Sequence, residues 1–448
     1  MGKLFGTDGI RGVANVDLTC GLALKTATAS AQVLSAHTKK KIKVIIGQDT
    51  RASGDMLANA MAAGFASAGA DAYLLGEIPT PAVAYLVGKY KADIGVVISA
   101  SHNPAKYNGI KIFNKDGYKL PDSIEEEIEN AIFTPTLVLN EIPGKIHTIK
   151  TAVDDYVDFL ISAHSNTDLT GIRVVVDCAN GASSITAEKL FKKLKVDAII
   201  LNNSPDGLNI NMGCGSTHIE IIQEAVKSYN ANIGIAFDGD ADRCLAVDEN
   251  GVVLDGDRIT AAIAIDLKQQ NKLKNNKVAV TTMSNLAFTK KMNDNGIEVI
   301  STKVGDRYVL EHMLKEDLSI GGEQSGHVIL LDTISTGDGE LTALKLLEIV
   351  KKNGNKSSYI TSLVIPYPQI LNNIHAEQNE KEFIMEDIEF NREISKAENL
   401  LGDSGRVLIR ASGTEPLIRI MVEGQDIQLV ENLASKISEK AKTRILNM

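Results

Sequence analysis

Three aspartates at alternating positions form the most distinctive chemical pattern in the sequence. Asp238, Asp240 and Asp242 stand in the segment FDGDADR, where the small residues Gly239 and Ala241 separate them. Three carboxylates this close repel one another unless a counter-charge binds among them. A hard divalent cation with oxygen ligands is the natural counter-charge. An acidic surface turn is the simpler alternative, but the segment ends an apolar run, IGIAF, and this favours a metal site.

A serine in the segment ISASHNP is the best candidate nucleophile. Ser101 follows an apolar run and precedes His102 and an Asn-Pro turn. The G-x-S-x-G elbow of acyl-transfer hydrolases is absent, so that class is disfavoured. A serine in a turn usually only caps or forms the turn. However, aligning Ile94-Gly95 with Ile233-Gly234 brings the serine segment over the aspartate segment, which favours a nucleophile or phosphate carrier.

Two cations follow these segments closely. Lys111 stands in YNGIKIF, and Arg243 ends the aspartate segment. If a strand carries Lys111 beside the serine, the divalent ion and Arg243 should lower the pKa of Lys111, because like charges disfavour the ammonium. A lysine with a lowered pKa suits general acid–base work. A solvated surface lysine is the alternative.

Other polar segments contain residues that suit sugar and phosphate recognition. GGEQSGH carries Glu323, Ser325 and His327 among three glycines, which read as hydroxyl or amine contacts or else as a flexible turn. RASGTEPLIR combines hydroxyls, a glycine N–H and guanidinium groups, which together suit a phosphate, although an ordinary hairpin turn is the alternative. The candidate residues of this phosphate nest are Arg410, Ser412, Gly413, Thr414 and Arg419. KVGDRY and GTDGIRG add the weaker candidates Gly305, Asp306, Arg307 and Arg11.

The segments ISASHNP, FDGDADR and GGEQSGH sit at corresponding places in a weak internal repeat. Three β-branched runs, KVIIGQDT, RVVVDCAN and KVAVTTMSN, each precede a helix-like stretch and then a second apolar run. Strands that alternate with helices predict βαβ units and a mainly parallel sheet, with ligands beyond the carboxyl ends of the strands. The last part differs. After two prolines near residue 366, the segment RVLIRASGTEPLIRIMVEG predicts a hairpin, and IQLVENLASKISEKAKTRIL predicts a final amphipathic helix.

Composition excludes several classes of partner. The chain of 448 residues has a formal net charge of −10, which disfavours a general nucleic-acid or anionic-membrane binder. There is no Trp, and Phe and Tyr number 10 each, so stacking platforms for single strands are disfavoured. No signal peptide or membrane span is predicted. The four cysteines are scattered without a CxxC pair, which favours reduced thiols in the cytoplasm.

The ordered set GTDGIRG, ISASHNP, FDGDADR, GGEQSGH and RASGTEP resembles the α-D-phosphohexomutase superfamily over essentially the whole chain. The opening MGKLFGTDGIRG and the GGEQSGH form most closely resemble its bacterial branch that acts on glucosamine phosphates. The resemblance implies three similar mixed α/β domains and a smaller C-terminal α+β domain, like the TATA-box-binding protein, around a central cleft. The expected bounds are 1–150 with the phosphoserine loop, 151–252 with the metal loop, 253–365 with the sugar-reading loop and 366–448 with the phosphate-binding loop.

The resemblance also implies a chemistry. Ser101 would carry a phosphoryl group, and one Mg²⁺ per chain would be held by Asp238, Asp240, Asp242 and a phosphate oxygen on Ser101. Glucosamine 6-phosphate would become glucosamine 1-phosphate through a sugar 1,6-bisphosphate, which also serves as activator. The product would supply UDP-N-acetylglucosamine synthesis for the cell wall. His102 and Lys111 are the candidates for proton transfer and Arg243 for charge stabilisation. The oligomeric state stays open, with a homodimer as one option.

Several rival functions are consistent with part of this pattern. A phosphomannomutase or phosphoglucomutase would use the same machinery on a different hexose phosphate. A metal-dependent phosphatase would use the same serine and would release inorganic phosphate. A sugar-phosphate sensor without catalysis would not need a metal triad beside a serine, and for that reason is disfavoured.

Overall fold

The computed structural model of the chain describes residues 4–6, 8–38, 40–134, 139–412 and 416–448. The chain divides into two compact units. The first unit comprises Met1–Met283 and Asn295–Leu363, and the second comprises Ser284–Asp294 and Val364–Met448. The first unit contains three β-sheets and the second contains one among the described residues.

The first sheet has six strands in the order β1-β5-β4-β2-β3-β6. Its strands are β1 (Ile10–Val13), β2 (Lys43–Gln48), β3 (Asp71–Glu77), β4 (Ile94–Ile98), β5 (Tyr107–Asn114) and β6 (Ile146–Thr148). The helices of this part are α1 (Cys20–Thr38), α2 (Gly54–Ser67), α3 (Thr80–Lys89) and α4 (Asp122–Phe133). Strands β2, β3, β4 and β6 run parallel, whereas β5 pairs antiparallel with both β4 and β1.

The second sheet has five strands in the order β11-β10-β9-β7-β8. Its strands are β7 (Arg173–Asp177), β8 (Asp197–Leu201), β9 (Ile233–Phe237), β10 (Cys244–Asp248) and β11 (Val253–Leu254). The helices here are α5 (Ala152–Ala163), α6 (Ser183–Lys193) and α7 (Glu220–Ser228), with a short 3-10 turn at Gly215–Thr217. Strands β8 and β9 lie parallel to β7, and β10 pairs antiparallel with β9.

The third sheet has four strands in the order β13-β12-β14-β15. Its strands are β12 (Lys277–Thr281), β13 (Glu298–Thr302), β14 (Ile320–Gly322) and β15 (Val328–Leu330). The helices of this stretch are α8 (Gly256–Gln269), α9 (Leu286–Asp294), α10 (Asp306–Glu316), α11 (Gly339–Lys352) and α12 (Ser358–Leu363), with a 3-10 turn at Lys274–Asn276. Of these, α9 belongs to the second compact unit.

One arrangement recurs in all three sheets of the first unit. A central strand is flanked by two strands that run parallel to it. One of these two flanking strands is followed along the chain by a strand that pairs with it antiparallel. The recurring sets are β3-β2-β4-β5, β8-β7-β9-β10 and β13-β12-β14-β15. The apolar runs of the repeat form β2, β4, β7, β9, β12 and β14, so the predicted repeat is confirmed. The strands β4 and β9 are buried at every position, as expected for strands covered on both faces.

The second unit contains a three-stranded antiparallel sheet in the order β16-β18-β17. Its strands are β16 (Gln369–His375), β17 (Gly405–Ala411) and β18 (Leu417–Gly424). Its remaining helices are α13 (Gln378–Glu386), α14 (Ile388–Leu401) and α15 (Ile427–Leu446), with a 3-10 turn at Gly402–Ser404. The predicted hairpin and final helix are therefore confirmed, as is the fold class of three mixed α/β parts followed by a smaller α+β part.

Apolar burial follows this division. The first sheet packs on α1 and α2, and the sheet of the second unit has its own core, which includes Ile418, Ile420 and Val422 of β18 together with Leu433 and Ile437 of α15. No helix among the described residues combines the length and the apolar character needed to cross a bilayer.

Candidate active site

The predicted serine loop connects β4 to β5 and holds Ser101 in an unusual backbone conformation. Ser101 is only 2% exposed and has a φ of +51°, in the left-handed region that side chains with a Cβ rarely adopt. Its hydroxyl donates to Asp238 Oδ2 across 2.6 Å, and His102 Nδ1 lies 3.3 Å from the same Oγ. Burial, together with the charges of Arg243 and Arg11, lowers the pKa of His102 to about 4. The imidazole is therefore neutral near pH 7.

The predicted metal loop connects β9 to β10, at the position equivalent to the serine loop. Asp238, Asp240 and Asp242 are all buried, and their nearest carboxylate oxygens lie within 4.8 Å of one another. The chain curls at Ala241, whose φ is +57°. A Cβ added at Gly239 would lie 2.6 Å from Ser101 O, so the close approach of the two loops requires glycine.

The donor set of these carboxylates suits a hard cation. Asp240 Oδ2 accepts from Thr80 Oγ1 at 2.7 Å, whereas Asp240 Oδ1 and Asp242 Oδ1 are buried without a hydrogen-bond partner among the described residues. Burial and the like charges of Asp242 and Asp240 raise the pKa of Asp238 well above its usual value. Two buried carboxylate oxygens without donors, close to a third carboxylate, suit a hard divalent cation. The three aspartates therefore form a buried acidic cluster that could hold a metal ion.

Lys111, on β5, lies within the same cluster. Its ammonium is 2.9 Å from Asp240 Oδ2, 3.3 Å from Asp8 Oδ2 and 3.5 Å from Asp242 Oδ2. Burial lowers the pKa of Lys111, but these three carboxylates outweigh burial and raise it well above the usual value. This direction is opposite to the expected one, because carboxylates rather than cations are the nearest described charges. Lys111 is a charged neighbour of the cluster and not a ready proton acceptor.

Asp8 and Lys119 extend the cluster, and the sequence analysis missed both. Lys119 Nζ lies 2.7 Å from Asp8 Oδ1 and 2.8 Å from Asp306 Oδ2, and Asp8 also pairs with Arg11. Burial raises the pKa of Asp8, but the surrounding cations Lys111, Lys119 and Arg11 lower it well below its usual value. Asp8 stands in the quoted GTDGIRG segment, which was the only signal in the sequence that could have found it.

The loop between β14 and β15 carries the predicted sugar-reading residues. Ser325 Oγ is buried and has no hydrogen-bond partner among the described residues, so it is available to a ligand. Glu323 Oε1 accepts from the N–H of Gly305 at 3.2 Å, and burial raises the pKa of Glu323. Coulombic attraction links Glu323 to Arg243, whose backbone N–H donates to Asp238 Oδ1 at 3.2 Å. These predicted residues thus belong to one neighbourhood.

His327 bridges this loop to the carboxylates. Its Nδ1 lies 3.7 Å from Asp242 Oδ1 and its Nε2 lies 3.6 Å from Asp306 Oδ2. Burial lowers the pKa of His327, and nearby carboxylates raise it to about 9. The N–H of Gly337 nevertheless points at Nε2 from 3.2 Å, so that nitrogen accepts and the ring proton lies on Nδ1 toward Asp242.

Two predicted substrate contacts have other partners in the structure. Arg307 donates to Leu120 O at 2.7 Å and pairs with Asp122 and Glu125 of α4, so its guanidinium faces α4 instead of the carboxylate cluster. Asp306 is the ion-pair partner of Lys119. Asp306 and Arg307 both lie at the start of α10. Their contacts therefore join the region around the third sheet to the region around the first sheet, within the first unit.

The predicted phosphate nest lies in the second unit. Arg410 on β17 is paired in register with Arg419 on β18. Ser412 is buried, and its carbonyl accepts from Lys381 at 2.8 Å. Gly413 and Thr414 lie outside the described residues.

Comparison with known protein families finds matches along nearly the whole chain. The matches are to phosphoglucomutase/phosphomannomutase alpha/beta/alpha domain I at 2–138, domain II at 154–251, domain III at 255–367 and the C-terminal domain at 371–440. Phosphoglucosamine mutase of Thermoanaerobacter sp. (strain X514) is 51% identical over 448 residues, covering 99% of this chain and 100% of that protein. Phosphoglucosamine mutase of Clostridium novyi (strain NT) is 50% identical, covering 98% and 100%.

Solved structures share the fold at lower identity. A phosphoglucomutase/phosphomannomutase family protein from Burkholderia thailandensis superposes with a TM-score of 0.83 at 24% identity, covering 98% of each chain. The Aspergillus fumigatus N-acetylphosphoglucosamine mutase in complex with GlcNAc-6P and magnesium superposes with a TM-score of 0.70 at 18% identity, covering 98% of this chain and 95% of that one.

Proposed function

The chain belongs to the phosphoglucomutase/phosphomannomutase family, and from that premise we propose that it is an isomerase that interconverts glucosamine 6-phosphate and glucosamine 1-phosphate. The single observation that carries this proposal is the 2.6 Å hydrogen bond from Ser101 Oγ to Asp238 within a buried carboxylate triad. A hydroxyl beside a metal site can both give and receive a phosphoryl group. The phosphoglucosamine mutase relatives, about half identical over their full lengths, support the substrate.

The carboxylate triad would hold one Mg²⁺. Asp238, Asp240 and Asp242 supply three oxygen ligands, and a phosphate oxygen on Ser101 would supply a fourth. When bound, the cation neutralises charge on the transferring phosphoryl group. The described site supports this assignment because Asp240 Oδ1 and Asp242 Oδ1 receive no hydrogen bond there.

The proposed reaction consists of two phosphoryl transfers. In the first, the bond between phosphorus and Ser101 Oγ breaks while a free hydroxyl of the sugar phosphate bonds to that phosphorus, which gives a sugar 1,6-bisphosphate. In the second, Ser101 Oγ takes back the phosphoryl group from the other position, which leaves the isomeric monophosphate. Free sugar 1,6-bisphosphate would load an unphosphorylated Ser101 and so act as activator.

Roles in proton transfer and charge stabilisation are assigned from the position and the charge of each candidate side chain. The attacking sugar hydroxyl must lose a proton, and we assign its acceptance to His102, because His102 Nδ1 lies 3.3 Å from Ser101 Oγ. Lys111 keeps its proton among three carboxylates and would stabilise negative charge on the transferring group. Arg243, whose backbone N–H donates to Asp238, would do the same from the aspartate loop.

Recognition of the sugar is assigned to the loop between β14 and β15. The carboxylate of Glu323 suits the ammonium group of glucosamine, and the unpartnered hydroxyl of Ser325 suits a sugar hydroxyl. We assign the non-reacting phosphate to the nest that includes Arg410, Ser412 and Arg419, because hydroxyl, backbone N–H and guanidinium groups together suit a phosphate. Gly413 and Thr414 remain predicted members of this nest, and Arg11 and His327 remain predicted substrate contacts.

The setting of the reaction is part of the proposal. The product would supply UDP-N-acetylglucosamine synthesis. The proposed location is the cytoplasm, since all four cysteines are free thiols, which suits a reducing compartment. Neither nucleic acid nor membrane is a proposed partner.

Substrate competition tests the proposed function directly. The phosphorylated protein is given glucosamine 6-phosphate, glucose 6-phosphate and mannose 6-phosphate together, and kcat/KM is determined for each. The amino sugar should have the highest kcat/KM. A higher value for either hexose phosphate would identify a phosphoglucomutase or phosphomannomutase instead. Release of inorganic phosphate equal to the loss of sugar phosphate would identify a phosphatase.

A further inference from the structure

We propose that Arg51 is a positioning residue, which fixes Ser101 in its strained conformation and thereby aims the serine hydroxyl at the carboxylate cluster. Asn211, which lies in the region around the second sheet of the first unit, assists Arg51 in this role. This inference rests on the proposed role of Ser101 as phosphoryl carrier. Neither Arg51 nor Asn211 contacts the unpartnered carboxylate oxygens of the aspartate triad, so each acts through the serine loop.

The serine loop needs such restraints because the backbone conformation of Ser101 is energetically disfavoured. Ser101 has a φ of +51°, and residues with a Cβ avoid this region. Strained conformations persist only where the surrounding structure over-determines them. The peptide groups on both sides of Ser101 are therefore the places to look for restraints.

Arg51 restrains the carbonyl side. Its side chain is fully buried, and all five guanidinium N–H groups are used. One of them donates to Asp49 Oδ2 at 2.9 Å, and the other four donate to backbone carbonyls of a single loop and the start of β5. These acceptors are Ser101 O and Asn103 O at 2.8 Å each, Pro104 O at 2.6 Å and Tyr107 O at 3.0 Å.

Asp49 links this restraint to the amide side of Ser101. Besides accepting from Arg51, Asp49 Oδ2 accepts from Ser99 Oγ at 2.5 Å, and Ser99 Oγ in turn accepts from the N–H of Ser101 at 2.9 Å. Both the N–H and the C=O of Ser101 are thus fixed through one buried carboxylate. Rotation about φ at Ser101 would break at least one of these bonds.

Asn211 adds a restraint from the other side of the interface between the regions around the first and the second sheet. Its Nδ2 donates to Ser101 O at 2.9 Å and to Asn103 O at 3.1 Å. Ser101 O therefore accepts from two different side chains, Arg51 and Asn211. Because the two donors share an acceptor, their contributions should not be additive.

The chemical identity of Arg51 matters because only a guanidinium presents a planar fork of five donors. A lysine at this position offers three donors from one nitrogen and cannot span four carbonyls. In Arg51→Lys we expect Ser101 Oγ to leave its 2.6 Å contact with Asp238, so that both transfer steps lose their alignment. Misplacement by about 1 Å can reduce a catalytic rate about 100-fold.

The experiment compares Arg51→Lys, Asn211→Ala and the double variant with the wild type. Thr50→Val is the matched control, because Thr50 Oγ1 donates to Asn180 O at 2.6 Å across the same interface but does not contact the serine loop. For each protein we measure kcat, KM for glucosamine 6-phosphate, and the rate at which glucose 1,6-bisphosphate phosphorylates Ser101. A merely structural role would not separate these quantities.

The expected result for Arg51→Lys is a fall of about 100-fold in both kcat and the rate of Ser101 phosphorylation, with KM close to that of the wild type. Asn211→Ala should show a smaller fall, and the double variant should fall by less than the product of the two single effects. Thr50→Val should match the wild type.

An unchanged rate of Ser101 phosphorylation in folded Arg51→Lys would overturn the inference. If Arg51→Lys does not fold, Asn211→Ala decides, and an unchanged rate there would overturn the inference as well. Phosphorylation by glucose 1,6-bisphosphate does not depend on the identity of the physiological sugar. A wild type that fails to isomerise glucosamine 6-phosphate would therefore contradict the proposed function alone.

Discussion

The hydroxyl of Ser101 donates to Asp238 Oδ2 across 2.6 Å, although the two residues lie 137 positions apart. Ser101 follows β4 and Asp238 follows β9, which are equivalent strands of two successive sheets with the same strand arrangement. The carboxyl ends of such strands are where open α/β sheets bind ligands. Any group carried on Ser101 Oγ is therefore held against the carboxylate cluster.

Replacing one carboxylate of this cluster should weaken metal binding without unfolding the protein. We expect Asp240→Asn to weaken Mg²⁺ binding in calorimetric titration and to reduce turnover about a hundredfold or more, because a neutral amide replaces an anionic ligand. Asp116→Asn changes an exposed aspartate and should match the wild type. Wild-type turnover in excess chelator would contradict the metal assignment.

Glu323 should determine the preference for an amino sugar. We expect Glu323→Gln to lower kcat/KM for glucosamine 6-phosphate about tenfold, since a charge-assisted hydrogen bond to the ammonium is lost. The value for glucose 6-phosphate should change less. Glu311→Gln, at an exposed position on α10, provides the control. An equal loss for both sugars would mean that Glu323 does not read the amine.

Lys119 should stabilise the first unit by joining two carboxylates. It pairs with Asp8 and with Asp306, whose side chains are only 25% and 21% exposed. Lys119→Met would leave both carboxylates without this partner, and we expect an unfolding free energy about 2 kcal/mol lower in urea denaturation. Lys115→Met removes a lysine that is 72% exposed, and should change stability by less than about 0.5 kcal/mol. Equal effects of the two substitutions would contradict the predicted role.

Much of this arrangement is predictable from the sequence because it depends on local patterns. The apolar runs predict the repeated strands, and the final amphipathic pattern predicts α15 over the residues that form it, Ile427–Leu446. The aspartates of FDGDADR are neighbours in sequence, so their meeting in space needs no tertiary information. The alignment of ISASHNP with FDGDADR predicts that the serine and the carboxylates occupy equivalent positions.

The remaining contacts depend on pairings between distant segments. Arg51 bonds carbonyls some fifty residues away, and Lys119 bonds Asp306 of another sheet's part; neither stands in a recognisable motif. The sign of the pKa shift of Lys111 depends on how many carboxylates surround it, and a linear sequence does not give that number. Arg307 follows a glycine turn and was for that reason a candidate ligand contact, but its guanidinium faces α4.

A buried acid predicts a pH dependence of stability. Asp338 caps α11 by accepting from the N–H of Leu341, and it also accepts from the Tyr156 hydroxyl at 3.0 Å. Burial raises the pKa of Asp338 from 3.8 to about 7. The folded protein therefore keeps a proton that the unfolded chain loses between about pH 4 and pH 7. Its contribution to stability falls as pH rises through this window, by up to about 1.4 kcal/mol per pH unit.

Asp338→Asn should remove this dependence while preserving the cap, since asparagine also caps helices. Denaturation at pH 5 and pH 8 measures it: the stability of the variant relative to the wild type should rise with pH. Asp255→Asn, at the less buried N-cap of α8, is the control. A difference between Asp338→Asn and the wild type that stays constant with pH would contradict the assignment.

The phosphoryl group on Ser101 is tested most directly by mass spectrometry of the intact protein with peptide mapping. After incubation with glucose 1,6-bisphosphate, we predict an added mass of about 80 Da located on the peptide that contains Ser101. Mixing with glucosamine 6-phosphate should remove this mass as the sugar bisphosphate forms, and Ser101→Ala should never acquire it. An unmodified Ser101 peptide, or a phosphoryl group on another residue that turns over with substrate, would contradict the account.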